Sequence, residues 1–309
     1  TTNLLDNSSE FSVIVVFNTG ATDTRDLISK RLNSTGSNIS WAMFYNTGFE
    51  LFADAGSTRI GGIASVAAAS NPHIGTMTVD ASLSGSSLKT FVDTDDAGSG
   101  GSNLSIPDRT EDILIGEFND GDGRFFNGDI AEIIVYRDAL NGGERLVLEN
   151  YLSEKYGVVI SADYFGLDNG TPNYADYAST YDDDIRGIGT ENGTESHATS
   201  GFSSGLQLAE ISGLDNTNEF VIFAHDAAVA HADNITANIT DVEITDRWQK
   251  DYYVEASGGG VVDAASANVE FRFDFSEATL TYSGSPTDYV LLYRATTADD
   301  LTRVFANSY

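Results

Sequence analysis

The chain has 309 residues, carries 47 Asp and Glu against 16 Lys and Arg for a formal charge of −31, and contains no cysteine. Disulfides, thiolate metal sites and cysteine nucleophiles are therefore excluded, and a field of that sign repels nucleic acid and anionic membrane surfaces. With 41% apolar and 11% aromatic residues, there is material for packed cores, and the length fits two domains better than one.

Short β-rich runs between Gly, Asn, Asp and Ser clusters predict antiparallel strands in the first half at Phe11–Phe17, Ile39–Tyr45, Phe49–Ala53, His73–Asp80, Leu88–Val92, Ile113–Phe118 and Asp129–Tyr136. Turns are expected at 18–20, 46–48, 98–101 and 120–123. One helix interrupts the pattern at Gly142–Tyr156. Asn141 is a natural N-cap, Glu144 stands where a capping-box carboxylate reaches back, and Gly157 supplies the left-handed stop. Leu148, Tyr151, Leu152 and Tyr156 form one stripe, so the helix is expected to lie on a sheet, followed by a strand at Val158–Ser161.

A polar segment rich in Asp, Asn, Tyr and Gly reads as a linker or docking stretch. Strands resume at Ile185–Ile188, Leu206–Ile211, Glu219–Ala224, Trp248–Glu255, Asn268–Phe275 and Asp288–Arg294. Val269, Phe271, Phe273 and Phe275 alternate with Glu270, Arg272 and Asp274, which predicts one buried and one wet face. The organisation expected is all-β, with two β-sandwich domains at 1–160 and 185–309 joined by 161–184. No apolar run reaches the ~20 residues that span a bilayer. The Thr1 start reads as a mature or trimmed piece of a longer polypeptide.

The phrase Phe126-Asn-Gly-Asp-Ile-Ala-Glu-Ile-Ile-Val-Tyr136, then Arg137-Asp-Ala-Leu140, Glu144-Arg145 and Tyr151-Leu-Ser-Glu-Lys-Tyr-Gly157, resembles the C-terminal signature of bacterial laminin-G-like domains. That resemblance implies a concanavalin A-like jelly roll closed by one C-terminal helix. Three stretches at 184–189, 219–226 and 247–254 resemble a β-rich domain that follows laminin-G-like domains in secreted bacterial proteins. Together they imply a secreted, cell-surface protein of the adhesin kind, whose partners are a glycan or a cell-surface protein, neighbouring domains or copies of itself. Two other roles stay open: a spacer or protomer of a surface fibre, or accessory domains of a polysaccharide-degrading enzyme.

For chemistry, the carboxylate spacing of retaining glycosidases on this fold is missing, and Glu270 and Asp274 with Arg272 between them read as a salt-bridged strand face. No G-x-S-x-G elbow is present, and none of His73, His197, His225 and His231 stands in a close metal pair. No catalytic residue is assigned. Calcium is the cofactor expected, because acidic Gly-containing loops gather the oxygens a hard cation needs. Asn119, Asp120 and Asp122 form one such loop, and Asp93, Asp95 and Asp96 another; each reads also as a solvated turn. Trp41 and Tyr45 are candidates for a sugar-stacking platform, although their shared parity with Met43 also suits a core.

Overall fold

The computed structural model describes residues 5, 7–19, 25–32, 39–45, 50–56, 58–65, 71–104, 106–108, 110–117, 125–161, 181, 183–192, 195–215, 219–226, 239–241, 243–244, 247–248, 250–258, 268–274, 289–294 and 299–304. The chain divides into two compact units, Thr1–Ala175 with Thr194–Ser196, and Asp176–Gly193 with His197–Tyr309. The segment expected to link two domains is 161–184. Apart from residues 161, 181, 183 and 184, that segment lies outside the described residues.

In the first unit the strands are β1 (Glu10–Thr19), β2 (Arg25–Arg31), β3 (Ile39–Tyr45), β4 (Glu50–Ala55), β5 (Thr58–Ser65), β6 (His73–Asp80), β7 (Ser84–Val92), β8 (Asp95–Ser102), β9 (Leu114–Ile115) and β10 (Gly128–Tyr136), followed by helix α1 (Gly142–Tyr156). They build two five-stranded antiparallel sheets, ordered β10-β1-β6-β7-β8 and β5-β4-β3-β2-β9. The chain enters the first sheet with β1, crosses for the meander β2–β5, returns beside β1 with β6, and then fills an edge of each sheet with β9 and β10. This is a jelly-roll sandwich.

The strand β1 explains the layering. Phe11, Val13, Val15 and Phe17 point between the sheets, where they meet Trp41, Met43, Tyr45, Ala53, Met77, Val79 and Leu88. Ile14 and Val16 point the other way, onto Leu152 of α1 and onto Val158 and Ile160 beyond it, with Leu148, Tyr151 and Tyr156 partly buried beside them. A strand covered on both faces must be apolar at both parities, which is why β1 reads as a continuous run rather than an alternation. The stripe expected on α1 is therefore the one that packs.

Both helix ends are formed as the sequence predicts. The Asn141 side chain accepts from the Glu144 N–H at 3.0 Å, the Glu144 carboxylate accepts from the Asn141 N–H at 3.1 Å, and Gly157 is left-handed at φ 64°. Beneath the helix, buried Glu149 accepts from the Thr76 hydroxyl at 2.6 Å and from Arg145, whose guanidinium stacks 3.7 Å from the Phe91 ring centroid. Burial holds the Glu149 carboxyl above the usual range, even with Arg145 beside it.

The remaining strands are β11 (Asp183–Asn192), β12 (Glu195–His197), β13 (Leu206–Ser212), β14 (Glu219–His225), β15 (Tyr252–Gly258), β16 (Asn268–Phe273), β17 (Leu292–Tyr293) and β18 (Thr302–Arg303), all in the second unit except Glu195 and Ser196 of β12. A four-stranded sheet runs β12-β11-β14-β15, and β13 pairs with β16 to form a second layer. Ile188, Leu206, Leu208, Leu214, Val221 and Phe223 fill the space between, flanked by Tyr252, Val254 and Val269. Gly189 lies opposite Phe220 in the ladder, and a Cβ there would run into that ring.

The structure corrects several sequence expectations. Residues 98–101 belong to strand β8 rather than to a turn, and Val158–Ser161 forms no strand. Strands β2, β5, β8, β12 and β18 go beyond the expected set. On β16, Phe271 and Phe273 are 41% and 38% exposed, so its apolar parity is only partly covered. Positions 49, 118, 249, 275 and 288 of the expected strands lie outside the described residues.

The caps supply the test of this architecture. Replacing Asn141 by Ala removes an N-cap and half of a capping box, and should lower stability by about 1 kcal/mol. Leu152→Ala, which empties a fully buried site between α1 and β1, should lower it by about 2–5 kcal/mol. Urea unfolding followed by circular dichroism distinguishes the two; an α1 that contributes nothing to the fold would leave both midpoints unmoved.

Candidate functional site

The outer face of the first sheet is sealed by α1, which directs attention to the outer face of β5-β4-β3-β2-β9. Strand β2 carries a bulge there: Asp26 pairs with Phe44 but Ile28 with Met43, and Leu27 and Ile28 both point into the sandwich core. The extra residue reverses the parity of the rest of the strand. Asp26 and Arg31, an even and an odd position of one strand, consequently share the outer face and bond to each other.

Arg31 donates from Nε to Asp26 Oδ2 at 3.0 Å, makes a second bond from Nη2 to Asp26 Oδ1, and reaches Asp54 Oδ2 from Nη1 at 3.4 Å. Asp54 stands opposite Arg59 in the β4–β5 ladder and accepts from its Nε at 2.7 Å and its Nη2 at 2.8 Å. The two guanidinium carbons lie 5.1 and 5.0 Å from the centroid of the Phe44 ring. Asp26, Arg31 and Asp54 have side chains at most 2% exposed, whereas that of Arg59 is 48% exposed. The result is a formally neutral array of two carboxylates and two guanidinium groups, laid over one aromatic ring and reaching solvent through Arg59.

Burial pushes the Asp26 carboxyl up to about 6, against the opposing pull of Arg31, and burial also lowers Arg31 from its ordinary value. Hydrogen bonding to Asp54 raises Arg59. Desolvation thus outweighs pairing at the inner end of the array and pairing outweighs desolvation at the outer end. Perturbed, mutually bonded charges of this kind mark candidate functional sites.

Of the residues singled out from sequence, Trp41 and Tyr45 are corrected. Both are 0% exposed and lie between the sheets. Trp41 lies 6.1 Å from Phe11 with the rings tilted at 54°, while Tyr45 meets the edge of Phe126 at 5.9 Å and bonds the Thr19 hydroxyl at 2.7 Å. No sugar ring can reach either.

Asp93, Asp95 and Asp96 do not converge on a common centre. Asp93 and Thr94 are the two left-handed residues, φ 50° and 74°, of the tight turn between β7 and β8. The Asp93 carboxylate accepts from the Ile74 N–H at 2.8 Å and lies 2.6 Å from His73 Nδ1. Asp95 accepts from the Ser161 hydroxyl at 2.6 Å, and Asp96 from the Gly98 N–H at 2.7 Å. These carboxylates fasten the turn and the segment after α1. Among the described residues, no three His, Asp or Glu side chains gather as a metal would require. Asn119, Asp120 and Asp122 lie outside the described residues. Glu270 and Arg272 form the exposed ion pair expected of a strand face, at 2.8 Å.

The class defined by the topology is a jelly-roll β-sandwich, followed by a second all-β unit. No family model matches the chain, and no curated protein does. Among solved structures, it is similar to a heptameric SAP-like pentraxin from Limulus polyphemus, at 11% identity and a TM-score of 0.33, over 43% of this chain and 66% of that one. A putative carbohydrate binding protein from Bacteroides ovatus matches at 14% and 0.36, over 44% of this chain and 39% of that one. The CBM40 of a Ruminococcus gnavus IT-sialidase, solved with α2,3-sialyllactose, matches at 14% and 0.35, over 43% and 79%. The chain spans less than two thirds of the pentraxin and of the Bacteroides protein.

A raised carboxyl makes stability depend on pH in a defined direction. Asp26 binds its proton more tightly when folded than when unfolded, so its contribution is fully present below about pH 4 and is lost as pH rises through about 6. Relative to Asp26→Asn, the wild type should therefore lose up to about 3 kcal/mol between pH ~4 and ~7. Paired urea titrations across that range measure it, and a difference constant with pH would show that Asp26 titrates as an ordinary surface carboxylate.

Proposed function

We propose that the chain is an extracellular adhesion segment of a larger bacterial surface protein, in which a laminin-G-like first unit binds a glycan with the assistance of calcium. The observation that carries this reading is the Asp26–Arg31–Asp54–Arg59 array on the outer face of the β2–β5 meander. Carboxylate and guanidinium groups fixed side by side offer the paired acceptors and donors that neighbouring sugar hydroxyls need, and fixing them beforehand reduces the ordering cost of binding. Arg59 is the reachable donor, and Phe44 is the support beneath it rather than a stacking platform.

The charge of −31 favours a neutral glycan over an anionic one unless a cation intervenes. That role falls to calcium at the acidic loop of Asn119, Asp120 and Asp122, which supplies the oxygen ligands a hard cation prefers. A second reading has its own support. Asp26, Arg31 and Asp54 already satisfy one another, as the charges of a purely structural face would in a spacer or fibre protomer.

Calorimetric titration of metal-stripped protein with calcium, followed by a glycan array with and without the ion, separates the two readings. An adhesive module should show saturable calcium binding abolished by Asp120→Ala or Asp122→Ala. Calcium-dependent glycan retention should fall roughly 10- to 100-fold in Arg59→Ala, the loss of a charge-assisted hydrogen bond. Absence of calcium heat and of glycan retention in both states would leave the spacer reading.

A further inference from the structure

In the second unit, the turn that leads into β13 meets the end of β14. Ser203 and Leu206 close a two-residue turn through reciprocal backbone bonds of 2.8 and 3.0 Å, with Ser204 at φ 46° and Gly205 at φ 96°. Such a turn favours Asn or Gly at its first position. Serine there is strained, and strain of this kind is held where a side chain is required in one place.

The Ser204 hydroxyl is aimed at His225, the last residue of β14, with Oγ 3.2 Å from Nε2. On its other side the imidazole meets the Asp226 carbonyl, 2.7 Å from Nδ1. With the ring proton on Nδ1, where the carbonyl can accept it, Nε2 presents its lone pair to the serine. Lys250 Nζ lies 3.1 Å from Nδ1 and donates to the same carbonyl at 3.3 Å. The turn itself is held down by the Tyr252 hydroxyl, which donates to the Ser204 carbonyl at 2.7 Å, and by the Asp274 N–H, which donates to the Gly205 carbonyl at 2.8 Å. His225 is 5% exposed, and Ser204 is half-buried. The Tyr252 ring stands edge-on to the imidazole at 6.0 Å, with Trp248 at 5.8 Å from Tyr252 and Phe273 at 6.2 Å from Trp248, a run of aromatic rings leading away from His225.

We propose that Ser204 and His225 form a nucleophile–base pair that transfers acyl groups from small esters, such as O-acetyl groups, to water. A nucleophile within hydrogen-bond reach of a base that a third group orients is the arrangement this chemistry needs. Ser204 Oγ attacks the ester carbonyl carbon while its proton passes to His225 Nε2. The tetrahedral adduct then expels the alkoxide, which takes that proton from Nε2. Water attacks the acyl-serine with His225 again accepting the proton, which returns to Ser204 Oγ as the carboxylic acid leaves. The proposal is independent of the glycan reading of the first unit.

The test uses the full chain with diisopropyl fluorophosphate and with p-nitrophenyl acetate. One adduct per chain, mapped to Ser204, and a burst of p-nitrophenolate of about the same stoichiometry are expected. Ser204→Asn fits the turn better than serine and should keep the fold and unfolding midpoint while losing both signals. His225→Gln should slow them ~10²–10⁴-fold. No adduct on the folded wild type, an adduct that persists in Ser204→Asn, or unchanged rates in His225→Gln would each overturn the proposal.

Discussion

The first unit rests on the double burial of β1. One parity of that strand fills the space between the sheets and the other accepts the helix, so neither the sandwich nor the helix docking can be altered without disturbing the same short run of residues. Strand β3 repeats the arrangement in the opposite sheet with a different partner. Its inner parity is Trp41, Met43 and Tyr45, while its outer parity includes Phe44 beneath two guanidinium groups. Hydrocarbon covers one central strand and a salt-bridged array covers the other, and this difference distinguishes the two outer faces of the sandwich.

A buried neutral array is a poor source of stability, because desolvation of each ion offsets most of the attraction between them. Its value is geometric. Arg31 holds two carboxylates at once, and Asp54 in turn fixes Arg59 in a bidentate grip, so the exposed guanidinium inherits its orientation from residues that solvent does not reach. The same logic applies in the second unit, where Asp251 holds Arg247 at 2.9 Å and Arg294 at 2.6 Å.

Much of the fold is legible in the sequence because its signals are local. The helix has the bounds that Asn141, Glu144 and Gly157 announce, and β3 and β6 run over the ranges their apolar patterns suggest. Strand β8 is hidden because Asp-Asp-Ala-Gly-Ser-Gly-Gly-Ser has no strand former, and pairing with β7 alone imposes its shape. Strand β2 is hidden because its Asp, Lys and Arg look like surface. The candidate site is illegible for the same reason, since Asp26 and Arg31 meet only through a bulge and Asp54 meets Arg59 only across a ladder. The parity that Trp41 shares with Met43 does place both on one face, but parity cannot say which face of a sheet is covered. Ser204 and His225 belong to different parts of the sheet pair, with nothing in their spacing to join them.

Pairing between β1 and β10 also sets an order of events. The Ser12 hydroxyl bonds the Asp138 carbonyl 126 residues away, and Ile14 and Val16 are covered only once α1 has arrived. Contacts this distant in sequence close slowly, because the loop must be ordered before the contact is made. Strand β1 must therefore wait, apolar on both sides, until the helix at the far end of its unit is in place, so the two faces of that strand are covered together or not at all.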